Sequence, residues 1–202
     1  MSTKPTAKST AKSAAKSTQY SSTDDLIDLL KAQHGQIRDL FDEVMRSQGR
    51  ERRDAFRSLV RLLAVHETAE EEIVHPMARR LPGGDGIVDD RLAEERKAKE
   101  VLSELDGMDT DDPGFLKTLD KLRMDVLTHA RAEECYEFPR MRDEFTPEQL
   151  RGFAAAVRAA EATAPTRPHP GTESAAKNLL TGPPLAIMDR VRDMIRGALD
   201  KR

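Results

Sequence analysis

The 202-residue sequence contains one cysteine, Cys135, and no tryptophan, and aromatic residues make up 4% of it. A single cysteine rules out an intrachain disulfide framework and any cysteine-based zinc cluster, and it makes a reducing, cytoplasmic setting the default expectation. No apolar run approaches the roughly 18 residues that a membrane span needs, and the N-terminus has no signal-peptide apolar region, so the chain is expected to be soluble with no membrane partner. Apolar residues reach only 38% against 34% charged. That is lean for a globular core but sufficient for helices that each bury one stripe. The net charge is −3, and residues 1–22 carry Lys4, Lys8, Lys12 and Lys16 with no acid, which leaves −7 on the remaining 180 residues. An acidic body is a poor binder of nucleic acid, so no specific nucleic-acid partner is expected, and it suits a protein that collects cations.

Composition divides the chain. Residues 1–22 are built from Ala, Lys, Ser and Thr and offer nothing to bury, which predicts a disordered tail. From Thr23 the pattern turns helical. Thr23-Asp24-Asp25 supplies an N-cap and first turn, and Ile27, Leu30, His34, Ile37, Phe41 and Val44 follow at steps of three and four. A second stripe holds Phe56, Leu59, Leu63, His66, Glu70, Ile73 and Met77, and Leu81-Pro-Gly-Gly-Asp-Gly86 ends it. A third, from near Asp89, holds Leu92, Glu95, Leu102 and Leu105. A fourth, with Asp112 as its cap and Pro113 at its first position, holds Phe115, Leu119, Leu122, Val126, His129, Glu133 and Tyr136. Four amphipathic helices joined by short polar loops over residues 23–145 specify an all-α, antiparallel four-helix bundle. Residues 146–202 form a C-terminal helical extension: Thr146-Pro-Glu-Gln149 opens one helix through about Ala162. After a Pro/Gly-bearing linker, a last helix from about Pro184 carries Ile187, Val191, Met194 and Ala198, either to cover the bundle or to pair subunits as a homo-oligomer.

The polar residues on the apolar stripes carry the chemistry. His34, His66, Glu70, Glu95, His129 and Glu133 stand where the spacing calls for Leu or Ile. A buried unpaired carboxylate costs several kcal/mol or neutralises itself, so three glutamates and three histidines in one core call for a shared cationic partner. The alternative is a buried hydrogen-bonded network or a wet bundle end. His66-x3-Glu70-Glu71-x4-Pro76 repeats as His129-x3-Glu133-Glu134-x4-Pro139, offset by 63 residues. A His and a Glu four apart project from one face on successive turns, and two copies give a pseudo-twofold site suited to two metals sharing carboxylates. By position and phase Glu95 is the partner of His34, while Glu94 and Arg96 should face solvent or flank the bundle. Elsewhere, His75 lies off the inward phase, Cys135 is expected to pack inertly, Tyr136 is expected in the core or as a donor behind the site, and His169 in a surface loop.

With these motifs, residues 24–145 resemble the hemerythrin-like, HHE cation-binding family, a four-helix bundle with ligands in the order His, His-x3-Glu, His, His-x3-Glu. The resemblance implies His34, His66, Glu70, His129 and Glu133 as ligands of two non-haem iron ions with an oxo or hydroxo bridge, Glu70 and Glu133 bridging as carboxylates, although manganese or zinc also suits such donors. It implies Glu67 as a further ligand, since iron-sensing relatives use a Glu there. The chain departs from the family on the third helix, where Glu95 replaces the histidine and Lys99 stands where respiratory members have another. A harder, more anionic site favours ferric iron. It points away from reversible oxygen carriage and toward reaction with peroxide, oxygen or nitric oxide, whether as a catalase-like enzyme or as a sensor or store without turnover.

Overall fold

The computed structural model describes residues 25–162 and, beyond them, only Asp193, Gly197 and Leu199, each at a helical position. The tail, the linker with His169 and most of the last expected helix lie outside the described residues. Helix α1 is Leu26–Arg46, capped by Asp25, whose side chain accepts from the backbone N–H of Ile27 and Asp28 at 2.9 and 3.0 Å. Helix α2 runs over 49–78 and changes pitch on the way: Gly49–Ala69 is α-helical, Glu70–Val74 is a π-helical segment, and His75–Ala78 completes it. Helix α3 is Gly84–Asp106. Helix α4 covers 115–144 with the same interruption, Phe115–Ala132, a π segment Glu133–Glu137, then Phe138–Glu144. Helix α5 is Pro147–Glu161, opened by the full Thr146/Gln149 capping box. All regular structure among the described residues is helical, and no helix there is long and apolar enough to cross a membrane.

Two helix starts differ from the sequence reading. Helix α3 begins five residues early, because Gly83 takes a left-handed conformation (φ 71°) and Gly84 lets the chain turn against the end of α2: a Cβ at Gly84 would lie 2.0 Å from the Ala78 carbonyl oxygen. Helix α4 begins after Gly114 rather than at Pro113. The Asp112 carbonyl accepts from Phe115 N–H in a preceding turn, so Asp112 is not its cap.

The core is split into two apolar clusters with a polar layer between them. Ile37, Phe41, Val44, Phe56, Leu59, Leu63, Leu102, Phe115, Leu122 and Val126 fill one. The other joins Leu26, Leu30, Ile73, Met77, Phe138 and Met141 to Leu150, Phe153 and Val157 of α5, with Leu199 packed against it. Each buried side chain of this size contributes about 1.5–3 kcal/mol, so α5 seals that end of the bundle, and its Gln149 amide donates to the Leu199 carbonyl at 3.2 Å. His34 sits between Leu30 and Ile37 in this order, and His66 and Glu70 sit between Leu63 and Ile73. The polar layer is thereby closed off from water above and below.

Candidate metal centre

All six sequence-derived candidates reach this layer. His34, His66, Glu70, Glu95 and Glu133 are at most 6% exposed, and the His129 side chain is 13% exposed. The Nε2 atoms point inward: His66 Nε2 lies 3.3 Å from Glu70 Oε1, His34 Nε2 3.4 Å from Glu133 Oε2 and 4.0 Å from Glu70 Oε1, and His129 Nε2 3.5 Å from Glu133 Oε1. Two tight groupings result, His34/His66/Glu70 and Glu70/His129/Glu133, which share Glu70. Glu95 stands beside them, its Oε1 3.8 Å from His129 Nε2. Glu67 is buried on the wall of the adjoining cavity rather than inside either grouping.

The outward ring nitrogens are each held by an acceptor. His34 Nδ1 meets Glu134 Oε1 at 2.9 Å, His66 Nδ1 meets Gln33 Oε1 at 2.8 Å and His129 Nδ1 meets Glu94 Oε2 at 3.0 Å. An Nδ1–H fixed in this way leaves the Nε2 lone pair free and inward, the arrangement in which outer partners orient metal-binding imidazoles. Sequence reasoning missed both Gln33 and the role of Glu94. Glu94 flanks the bundle as expected, yet it also holds His129. Gln33 donates in turn to Glu161, which ties α5 to the site. Because such partners set ring orientation and basicity, Glu94→Ala and Glu134→Ala should each weaken metal affinity about 10–100-fold with helicity unchanged. Chelator competition measures this, and unaltered affinity in both variants would contradict the orienting role.

The donor set fits a cation. Both oxygens of Glu70 and of Glu133, together with His34 Nε2 and His129 Nε2, are buried without a hydrogen-bond partner among the described residues. Orphaned groups of this kind are rare in a folded core and need a partner. The electrostatics agree: burial, reinforced by the Glu133 charge, pushes Glu70 up to about 7, whereas Glu133, despite burial, is held well below the carboxylate range by His129 and His34. Burial and the neighbouring His34 push His66 down to about 3, so it is a neutral imidazole. Behind the layer, Lys99 forms a buried ion pair with Glu71, so this lysine neutralises a carboxylate rather than leaving a gap on α3. A cavity of about 270 Å³ joins the site to the surface between α3 and α4, lined inside by His66, Glu67 and Glu95 and at its mouth by Lys97, Asp125 and Thr128.

The two π segments correct two expectations, on His75 and Tyr136. His75 and Phe138 donate their backbone N–H to the carbonyls of Glu70 and Glu133, five residues back. In each copy a proline follows immediately, lacking the N–H of the next turn and crowding the carbonyl there, and a turn widened by one residue relieves the clash. An ordinary helix would set residue 75 about 140° from Glu70. The widened turn brings it back, so His75 is 2% exposed, with Nε2 2.6 Å from Glu95 Oε1. On α4 the same widening brings Phe138 in and turns Tyr136 outward, 70% exposed, while Cys135, two residues after Glu133, faces outward at either pitch, so neither Tyr136 nor Cys135 is a core residue.

This electrostatic pattern fixes a pH dependence for the metal-free chain. Burial opposes protonation of His75, but Glu95 outweighs it and raises its pKa from 6.5 to about 9; His34 and His129 are raised well above their usual value by Glu133. A raised histidine stabilises fully below pH 6.5 and loses that contribution as pH climbs through its folded value. The metal-free thermal midpoint should therefore fall between pH 6.5 and 9, His75 alone accounting for roughly 3 kcal/mol. Metal binding, which needs deprotonated ligands, should strengthen over the same range. Calorimetry with and without metal reads both, and a metal-free midpoint that rises across the window would contradict the assignment.

The fold agrees with that of a similar protein, and a family profile matches the bundle. The hemerythrin HHE cation-binding domain profile matches residues 25–141. A crystal structure of a hemerythrin HHE cation-binding domain-containing protein from Mycobacterium kansasii has the same fold, with a TM-score of 0.60 at 20% identity, covering 83% of this chain and 98% of that one. A DNA nickase from Nostoc sp. strain PCC 7120 is 26% identical over 135 residues, 66% of this chain but only 38% of the nickase, so the chain spans well under half of that relative. With its bundle, its paired His-x3-Glu units and the matched span, the chain belongs to the hemerythrin HHE cation-binding domain family.

Proposed function

We propose that the chain binds two iron ions between its two His-x3-Glu units and reacts there with small oxidants, namely peroxide, oxygen or nitric oxide. The observation that carries this reading is the set of four orphaned carboxylate oxygens of Glu70 and Glu133 facing three inward Nε2 atoms. Iron, when bound, supplies the electrons for such reactions, and a donor set rich in carboxylates favours its ferric state. His34 and His66 would hold one ion and His129 the other, with Glu70 and Glu133 shared and Glu95 on the His129 side. Manganese or zinc suits the same donors.

The protein's own contribution is positioning and access. Glu134, Gln33 and Glu94 fix the imidazoles, and the apolar clusters on either side exclude bulk water. The cavity past Glu67, of about 270 Å³, gives a small molecule a way to the layer. Few cysteines fit a reducing compartment such as the cytoplasm. The nickase activity of the Nostoc relative is not carried over, since the aligned segment is a minor part of that protein and the body of this chain is acidic.

The test is multiple-turnover consumption of hydrogen peroxide by the iron-loaded chain, with nitric oxide assayed in parallel. Sustained turnover that disappears in Glu133→Ala supports the redox reading. A single stoichiometric reaction would favour a sensor or store, and loss of peroxide at the same rate without metal would refute both.

A further inference from the structure

We propose that His75 is a metal ligand, the nitrogen donor that α3 lacks, and that it completes the ion on the Glu95/His129 side; this rests on the dinuclear reading above. The internal repeat makes the case. At an offset of 63 residues, Phe138 occupies on α4 the place that His75 occupies on α2, each at the end of a π segment. The Phe138 ring lies against His34, centroids 5.8 Å apart and 14° from parallel, so on that side α1 supplies the imidazole and the repeat position only covers it. On the other side α3 supplies a carboxylate, Glu95, and the repeat position is the imidazole, with Nε2 2.6 Å from Glu95 Oε1. The exchange of His for Glu on α3 is thus matched by the exchange of Phe for His on α2. Each ion then has two nitrogen donors, His34 with His66 and His75 with His129. His75 Nδ1 is buried and has no hydrogen-bond partner among the described residues, so the ring's placement there rests on the Nε2 contact with Glu95, and an ion that Glu95 also meets would lie beside the same nitrogen.

The experiment titrates the metal-free full chain with cobalt(II) and counts the exchangeable, paramagnetically shifted imidazole N–H resonances. The wild-type chain should bind two cobalt ions and show four such resonances. Three would overturn the proposal and leave His75 as a partner of Glu95 alone; this count does not depend on any variant folding. His75→Phe, which copies the residue of the other repeat, should show three, with the second cobalt ion bound at least about tenfold more weakly and the first unchanged. His75→Gln retains an N–H donor for Glu95; wild-type affinity in that variant would also overturn the proposal. A wild-type chain that binds fewer than two cobalt ions would refute the dinuclear reading itself, and with it this assignment.

Discussion

Replacing His66 and His129 together by alanine is expected to lower the iron content of the protein from about two per chain to near none. The two histidines belong to different groupings, so the double variant strips one nitrogen from each ion and leaves the shared Glu70 and Glu133 without their i,i+4 partners. The effects on stability differ. His66 is neutral, and its loss leaves a void and an unpaired Gln33 oxygen. His129 is one of the two cations beside Glu133, the other being His34; Glu133 has no exposed surface, and removing one member of a buried pair costs about 3–5 kcal/mol. The metal-free double variant should therefore melt well below the metal-free wild type, and added iron should no longer raise its midpoint, because a ligand stabilises only what it binds. Metal analysis beside thermal unfolding reads both effects. Unchanged iron in a folded double variant would remove these residues from the site.

The second large effect is expected at Glu95, where the chain departs from its family. Glu95→Ala should weaken one ion selectively, by about 10–100-fold, and leave the His34/His66 ion in place. It should also raise the reduction potential of the remaining pair, since an anionic donor stabilises the ferric state. Glu95→His should move the site toward reversible oxygen binding, seen as an oxygen-dependent visible spectrum reversed by degassing. Loss of both ions together in Glu95→Ala would show instead that Glu95 holds the layer as a whole through His75 and His129, to which it lies closest.

Much of this was legible in the sequence because the helices are strongly amphipathic and the exceptions stand at helical spacing. His34 between Leu30 and Ile37, or Glu70 between Leu63 and Ile73, reads as an inward polar residue without coordinates. The misplaced side chains near the site share one cause. Phase arguments assume a constant 3.6 residues per turn, and both ligand helices break that constancy just after the glutamate of each motif. Residues upstream of the break, such as His66 and His129, are placed correctly, whereas His75 and Tyr136, downstream, are rotated away from the expected face. The sequence does carry a signal for the break: a proline six residues after Glu70 and another six after Glu133. Prolines inside two otherwise regular helices require a local adjustment, and a repeated one marks a site. The outer partners were harder to read. Gln33, Glu94 and Glu134 lie next to the inward residues His34, Glu95 and Glu133 in sequence, and only the crossing of α1 with α4 and of α3 with α4 shows which imidazoles Glu134 and Glu94 meet.

The most direct test of the dinuclear centre is an anomalous difference map at the iron edge from crystals of the iron-loaded chain. Two peaks are predicted in the layer between the apolar clusters, one beside His34 and His66 and one beside His129, with Glu70 and Glu133 between them. A map with no peak in that layer, from crystals shown to contain iron, would contradict the account.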